Sequence, residues 1–226
     1  MSRDFSQIGR ALSAPARSAF INLLMDGSSR PAGELARSAG VSAATASEHL
    51  AVLVEAGLVQ CQARGRQRFY SLANNSVAGA LEQLGHLCPP IPVIGYRQSR
   101  EARDIARARF CYDHLAGRLG VELLTSMVES LWITEEEYAV TEEGHQRLQS
   151  IGIDTNRLTG KRALTRPCPD WTERKTHLAG ALGAALGSFF LDRGWVLQRS
   201  SGRGLDITPT GTTALGEIWN VRIEPV

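Results

Sequence analysis

The sequence predicts a mainly α-helical chain with small β-hairpins, an α+β protein of two domains. Three observations predict it. Apolar residues recur three or four apart, as at Phe5, Ile8, Leu12, Ala16, Phe20 and Leu23, which is the spacing of one helix face. Short extended runs flank the turns at Arg64-Gly65-Arg66-Gln67 and at 200–204, as they do in hairpins. Three prolines fall in Pro89-Pro90-Ile91-Pro92, which excludes helix and reads as a stiff linker over 89–99. That linker separates a first domain, 1–88, from a second, 100–226.

Composition bounds the function classes. The chain has 226 residues, 43% of them hydrophobic, and a net charge of +2, enough for two packed cores and outside the disordered and fibrous classes. No apolar run reaches the roughly 18 residues of a membrane span, and the N-terminus lacks the apolar stretch of a signal peptide. A cytoplasmic location is therefore expected, with the four cysteines reduced or ligating rather than disulfide-bonded. Almost every cation is Arg, the side chain suited to bidentate contact with phosphate or carboxylate. No P-loop, Gly-x-Ser-x-Gly, His-Glu-x-x-His or dinucleotide fingerprint is present, so no enzyme is expected.

The elements follow in order. The helical stretch at 5–25 is split by Pro15, and 26–31 reads as a loop. A short helix with Leu35 and Ala36 inward stops at Gly40. Ser42, a good N-cap, starts another helix that runs to about Ala56-Gly57. Residues 58–62 and 68–72 are extended around the basic turn, and Asn74-Asn75-Ser76 starts a helix to about Leu87. In the second domain, Arg100 to about Leu131 reads as one or two helices. That would set Cys111 and His114 on one face, with Arg107 a turn ahead of the cysteine. A strand at Tyr138–Val140 runs into a helix capped by Thr141. Pro167–Pro169 is a break, and Trp171 to about Leu191 a helix. Residues 194–198 and 205–208 are extended, and a last helix starts at Pro209.

One cassette occurs twice. His114-Leu-Ala-Gly-Arg-Leu-Gly120 and His177-Leu-Ala-Gly-Ala-Leu-Gly183 differ at a single position, and each follows a Cys-x-Asp, Cys111/Asp113 and Cys168/Asp170. Further on, the Thr-x-x-Gly step of Thr141 and Gly144 recurs at Thr208 and Gly211. The same order at nearly the same offset predicts an internally duplicated domain, with units of about 107–160 and 165–226.

Residues 31–59, PAGELARSAGVSAATASEHLAVLVEAGLV, give a short helix, a tight turn and a second helix, with the basic hairpin behind: a winged helix-turn-helix. Val41, Ala46, Leu50 and Leu53 have the spacing of its buried face. Ser42, Ala43, Ala44, Thr45, Ser47 and His49 face the major groove, where hydroxyls meet base edges and Ala methyls meet thymine methyls. Glu48 on that face would repel phosphate. Arg64, Arg66 and Arg68 on the wing face phosphate or the minor groove. The plainer alternatives are packing for His49 and a solvated turn for the arginines.

The stretch from Pro31 to Leu72 resembles the winged-helix repressors of the ArsR/SmtB class. It carries their LARSAGVSxxTxSxHLxVLxEAGLV core, Arg-Gly-Arg wing and Tyr-Ser-Leu exit strand, and the resemblance covers about residues 5–88. It implies a homodimer paired through 5–25 and 75–88, bound to a pseudo-palindromic double-stranded operator. Two departures, Ala43 for a polar residue and Ala44 for Pro or Ser, imply thin direct readout. Both familiar metal sites of the class are missing. Glu34-Leu35-Ala36-Arg37 stands where Cys-x-Cys-Asp would be, and 75–88 offers Glu82 and His86 without Asp-x-His.

The function expected is therefore a dimeric DNA-binding repressor whose second domain senses an effector. Three readings of the cassette stay open. Ala and Gly at 116, 117, 120, 179, 180 and 183 suit a packing seam between two helices. Cys111, His114, Trp171, His177, Trp132 and Trp195 suit an organic-ligand pocket. Cys111, His114, Cys168 and His177 form a tetrahedral set for zinc or another thiophilic metal, with Asp113 and Asp170 orienting the histidines. The alternative functions are a ligand-independent regulator, whose second domain serves dimerisation or partner docking, and a metal- or thiol-responsive sensor through those four residues.

Overall fold

The computed structural model describes residues 3–85, 87–88, 103–158, 160, 162–199 and 202–224. The proline-rich linker expected at 89–99, and His86, lie outside the described residues. The chain forms two compact units, Met1–Ala80 and Leu81–Val226. They divide inside a helix, ahead of the boundary expected at 88. No helix among the described residues is long and apolar enough to cross a membrane.

The first unit begins with α1 (Ser6–Leu12) and α2 (Pro15–Leu24). Pro15 occupies the first turn of α2, where its missing N–H costs nothing. The helix-turn-helix pair is α3 (Ala32–Ser38) and α4 (Ala43–Glu55), with Gly40 at φ 65° in the turn. Three strands, β1 (Arg30–Pro31), β2 (Val59–Arg64) and β3 (Gln67–Leu72), form an antiparallel sheet in the order β1-β3-β2. The sequence reads β1 as loop. Two residues are too few to show periodicity, and Pro31 is tolerated because an edge strand needs no donor on its free side. Phe20, Leu24, Leu35, Leu50 and Leu53 are fully buried between these elements. Helix α5 (Asn75–Gly85) follows, with Asn74 Oδ1 accepting from Val77 N at 3.0 Å.

The second unit departs from the expected long helices. Arg109–Cys111 (β4) and His114–Ala116 (β5) form an antiparallel hairpin, and α6 (Gly117–Glu129) starts only after it. Cys111 and His114 are cross-strand partners, not neighbours on a helix face, so the helical spacing from Arg107 does not exist. The second copy behaves alike. Arg166–Pro169 (β6) pairs with Thr176–Ala179 (β7), Cys168 opposite His177, before α8 (Gly180–Asp192). Glycine explains the corner from strand to helix. Gly117 and Gly180 sit at φ 71° and 91°, a left-handed conformation that other residues resist.

The remaining elements are α7 (Glu142–Ser150), a 3₁₀ turn (Thr155–Arg157), β8 (Val196–Gln198), β9 (Leu205–Ile207) and α9 (Pro209–Trp219). The expected strand at Tyr138–Val140 reduces to a single bridge, Ile133 with Val140. Thr141 and Thr208 cap α7 and α9 by accepting from Gly144 N and Gly211 N. The Thr-x-x-Gly spacing has a second cause. A Cβ on Gly144 would lie 2.0 Å from Trp132 O, and one on Gly211 2.0 Å from Trp195 O.

Packing crosses between the two hairpin–helix segments. Helix α6 lies on β7, α8 lies on β5, and β5 meets β7. Small residues thus bring helix against hairpin, where the sequence suggested helix against helix. Leu119, Leu123 and Met127 of α6 join Leu182, Leu186 and Phe190 of α8 in one buried core. Each side chain of that size contributes about 1.5–3 kcal/mol on burial.

Candidate functional site

The surface expected to face DNA is built on α4. Ala46, Leu50 and Leu53 anchor one side in the core. Ser42, Ala43, Ala44, Ser47 and Glu48 are exposed on the other, with Thr45 and His49 half-buried. The Ser42 hydroxyl accepts from Thr45 N at 3.1 Å and lies 2.9 Å from Thr45 Oγ1, and Ser47 Oγ donates to Ala43 O at 2.9 Å. These hydroxyls are partly spent on the helix, which leaves methyl and backbone surface to approach a groove. His49 Nδ1 lies 3.1 Å from Arg17 Nη1. Guanidinium only donates, so Nδ1 accepts and Nε2 carries the proton. His49 is thereby fixed by α2 with one donor left over. On the wing, Gly65 at φ 60° makes the turn, and Arg64, Arg66 and Arg68 are all exposed. The Arg64 guanidinium stacks 5.0 Å from the centre of the Phe69 ring, a contact that restrains it.

The second unit holds a different constellation. Cys111, His114, Cys168 and His177 are all buried, and one ligand atom from each lies within 4.8 Å of the others. His114 Nε2 and His177 Nε2 face each other at 3.2 Å. Cys111 Sγ and Cys168 Sγ are 4.0 Å apart. Ala116 and Ala179 close the cluster with apolar surface. The helices reach it through glycine. A Cβ on Gly120 would lie 2.3 Å from Leu115 O and 3.3 Å from the His177 Cβ, and one on Gly183 would lie 2.4 Å from Leu178 O and 3.3 Å from the His114 Cβ.

Carboxylates stand behind both imidazoles. His114 Nδ1 lies 3.2 Å from Asp113 Oδ1, and Asp113 is clamped by both terminal nitrogens of Arg162. His177 Nδ1 lies 3.2 Å from Asp170 Oδ2, off the axis of a linear hydrogen bond. Asp170 is fully buried. It accepts from Arg109 Nη2 at 3.0 Å, Gly117 N at 2.7 Å, Thr172 N at 2.9 Å, Thr172 Oγ1 at 2.7 Å and Glu173 N at 3.1 Å. Burial opposes its charge, but His177, Arg109 and Thr172 overcome this and hold the carboxyl well below the usual range. Burial also opposes charge on His177, and Asp170 and Cys111 outweigh it, raising that imidazole above its ordinary value.

The cysteines are not equivalent. Cys111 donates to Glu82 Oε2 at 2.8 Å, and its thiol is pushed up to about 12 by Cys168, burial and Glu82. Cys168 is lowered, chiefly by its contact with Cys111. Glu82 also accepts from Arg203 Nη1 at 2.9 Å, and Arg109 Nε lies 3.9 Å from it. Two anions, Glu82 and Asp170, thus meet two cations, Arg109 and Arg203, around the cluster.

Sequence reasoning overlooked Arg109, Arg203 and the structural weight of Glu82. One signal was present, since the repeat extends back to Arg-x-Cys-x-Asp, Arg109 in the first copy and Arg166 in the second. Of the tryptophans assigned to an organic pocket, Trp171 lies beside the cluster, its ring 5.3 Å from the Arg109 guanidinium. Trp132 and Trp195 stack instead on Trp219, at 6.2 and 5.9 Å, as part of the hydrophobic core.

Comparison with known proteins places these features. A helix-turn-helix domain family matches residues 12–62. The uncharacterized HTH-type transcriptional regulator YdfF of Bacillus subtilis is 40% identical over 226 residues, covering 99% of this chain and 100% of that protein. The HTH-type transcriptional regulator CmtR of Mycobacterium tuberculosis is 39% identical over 79 residues, 35% of this chain and 66% of that protein. Among solved structures, a homodimeric winged helix-turn-helix DNA-binding domain of a possible ArsR-family regulator from Mycobacterium bovis is 32% identical, covering 35% of this chain and 74% of that one, at a TM-score of 0.32. With a relative at this identity along its whole length and a helix-turn-helix domain near its N-terminus, the chain belongs to the HTH-type transcriptional regulators.

Proposed function

We propose that this regulator is a homodimeric repressor whose operator affinity is set by an effector held in the second unit. One observation carries the effector reading. In a unit whose core is otherwise apolar, two cysteines and two histidines converge behind buried, charge-balanced walls. Burying such groups is costly unless they are satisfied, and a ligand is one way to satisfy them.

The dimer reading rests on α4 and on exposed apolar surface. A recognition helix with no Lys or Arg binds weakly alone, and two half-sites multiply the effect. Phe5, Leu84 and Leu87, exposed at 74%, 43% and 83%, fall in the segments 5–25 and 75–88 through which the family resemblance implies pairing.

The test uses a duplex selected from random DNA by the protein itself. Light scattering should show two chains per duplex. Operator affinity should differ by about 5- to 150-fold between protein as purified and protein unfolded, stripped and refolded. A single chain per duplex overturns the dimer. Equal affinities, with bound material shown by native mass spectrometry to have been lost, overturn the effector reading and leave the second unit to dimerisation or docking.

A further inference from the structure

We propose that Cys111, His114, Cys168 and His177 bind one thiophilic divalent metal ion of the zinc class in a tetrahedral two-sulfur, two-nitrogen site. That such an ion serves as the effector rests on the regulatory reading above; that it binds does not.

Geometry comes first. Metal–nitrogen bonds of about 2.05 Å in a tetrahedron set two nitrogens about 3.3 Å apart, and metal–sulfur bonds of about 2.3 Å set two sulfurs about 3.8 Å apart. The imidazole nitrogens here stand at 3.2 Å and the sulfurs at 4.0 Å. Each like pair therefore stands within tenths of an ångström of its tetrahedral separation, and the whole set, which lies within 4.8 Å, has to draw its sulfurs and nitrogens together to close on an ion.

Tautomers give an independent reason. Asp113 stands at the Nδ1 of His114 and Asp170 at the Nδ1 of His177. A carboxylate at Nδ1 favours the proton there and leaves the lone pair on Nε2. Both Nε2 atoms then present lone pairs to each other across 3.2 Å in a buried space. Two facing acceptors repel unless a proton or a metal ion lies between them, and the sulfurs of Cys111 and Cys168 complete a donor set for a metal ion.

Charge closes the case. On binding, the S–H bonds of Cys111 and Cys168 break heterolytically. Each sulfur keeps its electron pair and donates it to the ion, and two protons leave to solvent. Two thiolates cancel the ion's double charge, and no redox change occurs. The surroundings are already balanced, with Glu82 and Asp170 against Arg109 and Arg203, so the neutral centre adds no net buried charge. Cys111 also gives up its bond to Glu82, since a metal-bound thiolate has no proton to donate.

The test titrates Co²⁺, then Zn²⁺, into full-length reduced protein freed of metal. One Co²⁺ per chain should bind with the visible bands of tetrahedral cobalt and a thiolate charge-transfer band, and Zn²⁺ should displace it. Cys111→Ser and Cys168→Ser should each remove the charge-transfer intensity of one sulfur. Asp113→Asn, at a partly exposed position that spares the core, should weaken binding about 10-fold. Folded wild-type protein that takes up no Co²⁺, or takes it up without thiolate charge transfer, overturns the site. Operator binding measured beside the titration separates the two claims. Stoichiometric metal without a change in DNA affinity supports the site and overturns metal as the effector.

Discussion

Asp170→Asn removes the carboxylate on which the second unit's buried charges converge. The two oxygens divide the work. Oδ1 accepts from both groups of Thr172 and from Glu173 N, and the Asn oxygen can keep these bonds. Oδ2 accepts from Arg109 Nη2 and Gly117 N, and an Asn amide in its place sets donors against donors. Arg109 is fully buried, and its Nη1 keeps Thr172 Oγ1 and Ile105 O, but among the described residues the only carboxylate left to the guanidinium is Glu82, 3.9 Å from its Nε. Breaking one partner out of such a pair costs about 3–5 kcal/mol, against a typical domain stability of about 5–15 kcal/mol. Urea unfolding followed by tryptophan fluorescence reads this unit alone, because Trp132, Trp171, Trp195 and Trp219 all lie in it. With a slope of about 2 kcal/mol per molar, the midpoint should fall by about 2 M at pH 7. The pH dependence is a sharper check. The folded value of Asp170 is depressed, so its contribution is full above the unfolded value of about 3.9 and is lost as pH falls toward the folded one. Because Asp170 also raises His177, the gap between wild type and variant should widen as pH falls toward the unfolded histidine value of about 6.5, stay level to about 4.5, then shrink by about 1.4 kcal/mol per unit below about 3.9. A loss under about 1 kcal/mol at pH 7, or a gap unchanged at pH 3, would refute the reading of Asp170 as the paired, ionised anchor.

Gly120→Ala and Gly183→Ala drive a methyl into backbone carbonyls and should each cost at least about 1–3 kcal/mol in thermal or urea unfolding. Gly216→Ala, in α9 with nothing near its Cβ, should instead stabilise by about 0.5–1 kcal/mol; equal effects at the three positions would disprove the close approach. Arg64→Ala with Arg66→Ala should weaken binding to all duplexes alike and lower the log–log salt slope by about 2, and an unchanged slope would take the wing off the DNA. Ser42→Ala should cost about 1 kcal/mol in the first unit, read by far-ultraviolet circular dichroism, because it removes the acceptor for Thr45 N.

Elements whose cause is local were readable from the sequence. Ser42, Thr141, Pro15 and Pro209 mark helix starts through chemistry that needs no distant partner, and each stands where the structure begins a helix. The hairpins at Cys111 and Cys168 were not readable in this way. Strands of three or four residues are too short for alternation to show, and both faces of β5 are buried, so His114-Leu115-Ala116 has no polar phase to distinguish it from helix. The decisive residues, Gly117 and Gly180, look like ordinary glycines in a helix until their positive φ is known. The candidate cluster was legible as four residue types in a repeat. Its closeness was not, because it arises from β5 meeting β7 and each helix crossing to the opposite hairpin. The buried charges were the least visible, since a lone Glu82 or Arg203 in sequence looks like solvated surface until its partners are in place.

The crossing of glycines and histidines, Gly120 against His177 and Gly183 against His114, has a genetic consequence. Two nearly identical cassettes suggest a spare copy, in which one half could decay while the other carried on. Here neither half contains a complete cluster, and each supplies the floor beneath the other's histidine. A lesion in one copy cannot be covered by its twin. Repetition has therefore enlarged the target for inactivating change, and the two halves must be maintained together as parts of a single object.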